Sequence, residues 1–183
     1  GDILEGSPYL AYYYRNRDKY PRNPMIDVIN YGEYDYYNTG NHDFNYGSAN
    51  LMDFITNIKA KSLCGNVKYN GKVLGREYTI HEFDKDHKIA LIGVVTHYIK
   101  NWEKPVNLVG IEVEDAFEYV KKTVAKIKAN EDVKGIVVVY HGGFERDLET
   151  GVPTEDLTGE NQAYQMCQEI PEIDVIISGD QHR

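Results

Sequence analysis

Five side chains of the kinds that bind divalent metal ions occur at widely separated points of the chain. They are Asp2, Asn41, His141, Asp180 and His182. Carboxylate and amide oxygens together with imidazole nitrogens form a ligand set that suits Mn, Fe or Zn rather than a metal that prefers thiolates. If these side chains converge in the folded chain, the sequence predicts a site for divalent metal ions.

The surroundings of Asn41 indicate how such a side chain could be positioned. Residues 33–39 are rich in aromatic side chains and end at a glycine, which is typical of a short strand. Residues 48–59 carry apolar side chains at helical spacing. Asn41 and its neighbour His42 are therefore predicted to lie in a loop between a strand and a helix.

Two later apolar stretches end in the same way. Residues 135–140 run into His141, and residues 173–177 run into the polar residues 178–182. Parallel strands end at one edge of a sheet, which is also where α/β domains bind their ligands. We therefore expect the polar ends of these strands to meet Asn41 and Asp2 in one small volume.

The rest of the chain alternates between helical and extended patterns. Helices are predicted at residues 8–20, 24–32, 48–59, 112–130 and 160–169, and hairpins at residues 67–73 and 76–95. Strands that alternate with helices along the chain indicate an α/β protein built as a layered sandwich.

The composition excludes several classes of function. The 183 residues carry a net charge of −9 and no basic run, so a groove for a nucleic-acid polymer is not expected. No apolar stretch approaches the roughly 20 residues that a membrane helix needs. Cys64 and Cys167 are far apart in sequence, which leaves their pairing open. Cys167 falls on the apolar face of a predicted helix, and we expect it to be a buried thiol.

Several short motifs, in order along the chain, resemble those of the calcineurin-like metallophosphoesterases. Within that family they resemble the secreted bacterial group of 2',3'-cyclic-nucleotide 2'-phosphodiesterase/3'-nucleotidases and 5'-nucleotidases. The motifs are GDILEGSP at residues 1–8, GNHDFNYG at 40–47, NWE at 101–103, HGG at 141–143 and GDQH at 179–182. The resemblance implies a sandwich of mixed sheets with helices outside, and hydrolysis of nucleotide phosphoesters by a metal-activated hydroxide.

The resemblance also implies which residues hold the two metal ions of the family site. Asp2 would bridge the metals, Asn41 and His141 would bind the second, and His182 would bind the first. At position 180 the family usually has histidine, so Asp180 is a departure that leaves two readings open. It could bind Mn, Fe or Zn with altered preference, or it could mark a decayed site.

For the chemical step, the resemblance implies that His42 protonates the leaving ribose oxygen as general acid or steadies the transition state. Asn45 stands where 5'-nucleotidases commonly have an aspartate that partners this histidine, and asparagine there resembles the cyclic-nucleotide branch. Asn45 could still orient the ring of His42.

Family members also carry an Asp-x-His motif ahead of the opening aspartate. We therefore expect residues 1–183 to be a metallophosphoesterase domain without its first strand and without the carboxy-terminal nucleotide-binding domain, and to be weakly active or inactive alone. The expected partner is a nucleotide or another small phosphoester, and the expected location is secreted, cell wall or periplasmic. The alternative is a non-catalytic metal-binding or scaffold domain.

Overall fold

The computed structural model describes residues 1–182, and the strands in that range form three sheets. The strands are β1 (Tyr36–Tyr37), β2 (Lys61–Ser62), β3 (Val67–Tyr69), β4 (Lys72–Val73), β5 (Thr79–Glu82), β6 (Lys88–Val95), β7 (Ile111–Val113), β8 (Gly135–His141) and β9 (Val175–Ser178). The main sheet has the order β5-β6-β8-β9, a second has the order β4-β3-β7, and β1 pairs with β2. In the main sheet β6, β8 and β9 are parallel, while β5 is antiparallel to β6.

The helices connect and cover these sheets. They are α1 (Pro8–Arg15), α2 (Pro24–Tyr31), α3 (Ser48–Asn57), α4 (Ile99–Trp102), α5 (Ala116–Asn130) and α6 (Ala163–Glu169), with 3-10 turns at Arg17–Lys19, His42–Phe44 and Pro105–Leu108. Proline occupies the first turn of α1 and α2, after a Ser or Asn side chain that caps the helix. None of the helices in residues 1–182 is long and apolar enough to cross a membrane.

Two hydrophobic cores hold the layers together, and alternate side chains of β6 enter different cores. Ile92 and Val94 pack with α5 and α6, whereas Val95 packs with the amino-terminal helices and the 3-10 turn after β1. Neighbouring residues of a strand point to opposite faces of its sheet, so the main sheet is covered on both sides. The predicted layered α/β sandwich is confirmed.

Both predicted hairpins are present. Asn70 and Gly71 form the turn between β3 and β4, and both have a positive φ, 49° and 77°. That conformation suits the right-handed twist of a two-residue hairpin and favours the Asn-Gly pair. The second hairpin joins β5 to β6.

Several expectations were wrong in detail. The helix predicted at residues 8–20 ends at Arg15, and the helix predicted at residues 160–169 begins at Ala163. The helix predicted from residue 112 begins at Ala116, because residues 111–113 pair with β3 as strand β7 and Asp115 caps the helix. Cys167 is exposed rather than buried. Its neighbour Met166 fills the inward position on α6, and a helix turns about 100° per residue, so the thiol lies off the buried face.

Candidate metal centre

Three polar side chains converge on Nε2 of His141. Oδ2 of Asp2 and Oδ1 of Asn41 each lie 3.0 Å from that nitrogen, and Oδ1 of Asp180 lies 3.5 Å away. Ligand atoms of Asp2, His141 and Asp180 all lie within 4.8 Å of one another. The fold thus brings together four of the side chains that the sequence suggested as metal ligands.

The ends of two different sheets position these side chains. His141 is the last residue of β8, and Asp180 follows the end of β9, whose Ser178 pairs with the residue before His141. Asn41 follows β1, which belongs to the separate two-stranded sheet. Asn38 joins the two sheets, because its Nδ2 donates to backbone carbonyls of β6 and β8 at 2.9 and 3.2 Å.

The backbone of Asp2 and Asp180 adopts an uncommon conformation. Their φ angles are 59° and 73°, in the left-handed region that residues other than glycine rarely occupy. Such outliers often accompany functional sites, where the surrounding structure holds them in place. A Cβ at Gly40 would overlap the carboxylate of Asp2. Glycine at position 40 therefore lets the two segments approach closely.

Asp43 holds the Asp2 segment against the loop after β1. Its side chain is 1% exposed. It accepts hydrogen bonds from the backbone N–H groups of Asp2, Ile3, Leu4 and Gly40 at 2.8–3.0 Å and from the Tyr37 hydroxyl at 2.5 Å. No role for Asp43 was predicted from the sequence. The one signal was its place inside the motif that carries Asn41 and His42.

The cluster favours positive charge at its centre. Burial opposes the charged form of His141, but hydrogen bonds to Asp180 and Asp2 outweigh it and raise the pKa of His141 to about 9. Burial likewise opposes ionisation of Asp2, yet its hydrogen bond to His141 and the charge there hold the pKa of Asp2 below its ordinary value. Two carboxylates thus surround a site that attracts a cation.

The donor set fits a divalent metal. Two carboxylates, one amide oxygen and one imidazole nitrogen suit Mn, Fe or Zn, and a bound cation would replace the proton that His141 otherwise holds. Within residues 1–182 this is the one group of three His, Cys, Asp or Glu side chains that is close enough to hold a metal.

A cleft of about 450 Å³ opens beside the cluster, and His42 lies on it. Asn41, Asp180, Glu155 and Glu160 contribute to its lining, and none of the described lining residues is lysine or arginine. Burial, together with repulsion from Glu155 and Asp180, raises the pKa of Glu160. This negative field would repel a phosphoester unless a bound cation reversed it.

His42 is tied to the site at two points, one through its backbone and one through its ring. Its backbone N–H donates to Oδ1 of Asp2 at 2.8 Å, and its ring Nδ1 lies 2.8 Å from Oδ1 of Asn45. Nε2 is the ring nitrogen that this contact with Asn45 leaves free. His182, by contrast, is outside the cluster: it is exposed and lines a different cavity with Arg146 and Leu148.

The model of one protein family, described as calcineurin-like phosphoesterase, matches residues 1–183 of the chain. The chain belongs to the calcineurin-like phosphoesterase family. Members of this family use divalent metals, and the cluster around His141 is the candidate site for one.

Curated relatives of the chain are bacterial. The chain is 32% identical over 197 residues to the trifunctional nucleotide phosphoesterase protein YfkN of Bacillus subtilis, and 29% identical over 195 residues to a 2',3'-cyclic-nucleotide 2'-phosphodiesterase/3'-nucleotidase of Haemophilus influenzae. Both alignments cover the whole chain, but only 13% and 28% of those proteins. The chain therefore spans less than a third of either relative.

Solved structures resemble the chain along the whole given sequence. A Staphylococcus aureus protein solved in complex with alpha-ketoglutarate matches with a TM-score of 0.92 and 36% identity over 100% of this chain and 35% of that one. The calcineurin-like phosphoesterase YfkN from Bacillus subtilis matches with a TM-score of 0.80 and 29% identity over 100% of this chain and 57% of that one. The layered architecture is thus that of the family.

Proposed function

We propose that this phosphoesterase hydrolyses nucleotide phosphoesters, either 2',3'-cyclic nucleotides or nucleoside monophosphates, with a divalent metal. One observation carries the proposal: His42 lies on the same cleft as Asn41 and Asp180 of the cluster. The substrate class is supported by the names of two relatives, a nucleotide phosphoesterase and a cyclic-nucleotide phosphodiesterase. Another small phosphoester would meet the same groups.

In this proposal Asp2, Asn41, His141 and Asp180 hold the cation. A bound cation neutralises charge on the phosphoryl oxygens and lowers the pKa of a water molecule. The residues themselves contribute orientation, since the left-handed backbone of Asp2 and the end of β8 fix where carboxylate and imidazole point. His182 as ligand of another cation stays a prediction.

His42 supplies the proton for the leaving ribose oxygen. Its Nδ1 is engaged by Asn45, so the proton would leave from Nε2. The hydrogen bond from the backbone N–H of His42 to Asp2 keeps the ring beside the cluster. General acid catalysis of this kind contributes about 10²- to 10⁴-fold to a rate.

We also propose that residues 1–183 act as the metallophosphoesterase domain of a longer protein, with nucleotide binding shared by a further domain. The proposal is supported by the small share of the relatives that this chain covers, 13% and 28%. Secretion stays a prediction from the sequence resemblance.

The proposal is tested on the longer protein proposed above, by hydrolysis of 2',3'-cyclic AMP and a chromogenic phosphodiester in the presence of Mn²⁺ or Zn²⁺, with and without a chelator. We expect metal-dependent turnover that falls about 10²- to 10⁴-fold in the His42→Ala variant. His87→Ala is the matched control, because His87 is an exposed histidine that contacts Asp84 in the β5–β6 turn. Equal turnover in the two variants would remove His42 from the mechanism.

A second candidate, a non-catalytic metal-binding or scaffold domain with a decayed site, is favoured by Asp180 in place of the usual histidine. Calorimetric titration with Mn²⁺ separates the candidates. Metal binding without hydrolysis of either substrate supports a non-catalytic metal-binding domain. A chain that binds no metal contradicts the proposed function and supports a scaffold whose site has decayed.

A further inference from the structure

Glu103 lies behind the pair formed by His42 and Asn45. Nδ2 of Asn45 donates to Oε2 of Glu103, while Oδ1 of Asn45 faces Nδ1 of His42 at 2.8 Å. Glu103 follows α4 and is half-buried, and neither hydrophobic core includes it. It does not itself line the cleft. Its effect on the site would therefore pass through Asn45.

Both carboxylate oxygens of Glu103 accept hydrogen bonds from neighbouring groups. Oε2 accepts from Asn45, and Oε1 accepts from the backbone N–H of Lys104 at 2.7 Å and from Nδ2 of Asn107 at 2.9 Å. Asn107 also donates to the backbone carbonyl of Asn45 at 2.8 Å. Every group that faces Glu103 in this set is a donor, so both of its oxygens must accept.

This arrangement decides which way the Asn45 amide points. An amide presents a donor on one side and an acceptor on the other, and its partners determine the orientation. Because both oxygens of the Glu103 carboxylate accept, the NH₂ group of Asn45 must face it. The amide oxygen then faces His42, and Nδ1 of that ring must be the donor.

We propose that Glu103 is a positioning residue of the phosphoesterase site, which fixes the Asn45 amide so that His42 keeps its proton on Nδ1. When Nε2 gives up a proton, the ring becomes the Nδ1–H tautomer, which the amide oxygen of Asn45 already accepts. No side chain has to turn over during the transfer. The inference deepens the proposed function, because it rests on His42 as the proton donor.

The isosteric variant Glu103→Gln tests this positioning role of Glu103. Its single amide oxygen is best placed toward the two donors, Lys104 and Asn107, which turns its NH₂ group toward Asn45. The Asn45 amide must then reverse and present its own NH₂ group to His42. We expect the neutral ring of His42 to change from the Nδ1–H to the Nε2–H tautomer.

A double variant should restore the original directions of hydrogen-bond donation. With Asn45→Asp and Glu103→Gln together, the introduced amide donates to the introduced carboxylate, and that carboxylate accepts from Nδ1 of His42. We expect the Nδ1–H tautomer to return. Glu172→Gln, at an exposed position between α6 and β9, is the matched control and should leave the tautomer as in the wild type.

The tautomer is read from ¹⁵N shifts of labelled histidine in the metal-free protein at a pH of about 8, above the ordinary pKa of histidine. His42→Ala assigns the resonance among the six histidines. An unchanged Nδ1–H tautomer in Glu103→Gln overturns the proposal, and so does failure of the double variant to restore it.

Turnover gives an independent result. In Glu103→Gln we expect kcat to fall about 10- to 100-fold with little change in KM, and the double variant to recover most of it. A fall confined to KM would contradict the positioning role. If the tautomer reverses as expected while the wild-type protein hydrolyses no phosphoester, the role of Glu103 is supported and the proposed function fails.

Discussion

The carboxylate of Asp2 and the imidazole of His141 lie 3.0 Å apart, although 139 positions separate them in the sequence. Their contact joins the first segment of the chain to the end of β8. It also places a carboxylate beside an imidazole nitrogen that can bind a metal ion when the histidine is neutral. The proposed metal site depends on that contact.

The first prediction concerns metal binding by Asp2. In the wild-type protein, Mn²⁺ or Zn²⁺ at about 100 times its Kd should stabilise the fold by roughly 2.7 kcal/mol and raise the Tm. Asp2→Asn removes one of the two carboxylates of the site. We expect the metal affinity to fall by at least about 100-fold, because losing a direct ligand costs more than losing a residue that only contacts a ligand.

Differential scanning fluorimetry at a series of metal concentrations measures this change. Asp132→Asn is the matched control, because the side chain of Asp132 is 97% exposed and lies near Lys134, on the loop before β8. A metal-induced rise in Tm that survives Asp2→Asn would place the metal elsewhere.

The second prediction concerns pH and the metal-free protein. His141 has a folded-state pKa of about 9, above the ordinary 6.5, because hydrogen bonds to Asp180 and Asp2 outweigh its burial. A group with a raised pKa contributes stability that is fully present below about pH 6.5 and is lost as the pH rises through about 9.

We therefore compare wild type with His141→Gln by urea unfolding in a chelator at pH values of about 6.5 and 9. The difference in free energy of unfolding should shrink by about 1–3 kcal/mol at the higher pH, since one pKa unit corresponds to about 1.4 kcal/mol. A difference that stays constant or grows with pH would contradict the ion pair.

Most elements that carry the site could be predicted from the sequence, but the contacts that bring them together could not. Periodicity located β8, the apolar stretch before Asp180 and the loop with Asn41, and parallel strands were expected to end together. Asn41, however, follows β1, which belongs to the separate two-stranded sheet. Its position depends on Asn38 and its long-range hydrogen bonds to β6 and β8, which no local pattern reveals.

The roles of Asp43 and Glu103 could not be predicted from the spacing of residues in the sequence. Asp43 is one acidic residue in a polar loop, and its function arises from donors that approach it from residues 2–4. Glu103 lies in a short motif whose contact with Asn45 spans 58 positions. The strand β7 was missed for a related reason: its partner is β3, so pairing rather than local propensity determines its structure.

The third prediction tests Asp43. In Asp43→Asn one oxygen becomes an NH₂ group, which would face backbone N–H donors in a buried site. We expect a loss of about 3 kcal/mol in the free energy of unfolding, as for other buried charged acceptors. Metal affinity should fall as well, because Asp43 holds the backbone of Asp2.

Urea unfolding of Asp43→Asn measures the stability, and Asp53→Asn, an exposed aspartate on α3, is the control that should cost less than about 0.5 kcal/mol. If the two variants lose the same stability, the hydrogen bonds to Asp43 do not hold the two segments together.

The fourth prediction concerns the cysteines, both of which are free. Cys64 is fully buried, and burial raises its pKa to about 12, so thiolate is scarce at neutral pH and reagents cannot reach it. Cys167 is exposed on α6. We expect a thiol reagent at a pH of about 8 to modify one cysteine per native chain and two per chain in denaturant. Cys167→Ser should reduce the number of modified cysteines in the native chain to zero. Cys64 lies just after β2 and bridges to Gly93 of β6. Rapid labelling of that variant would mean that the core around Cys64 opens far more readily than its packing implies.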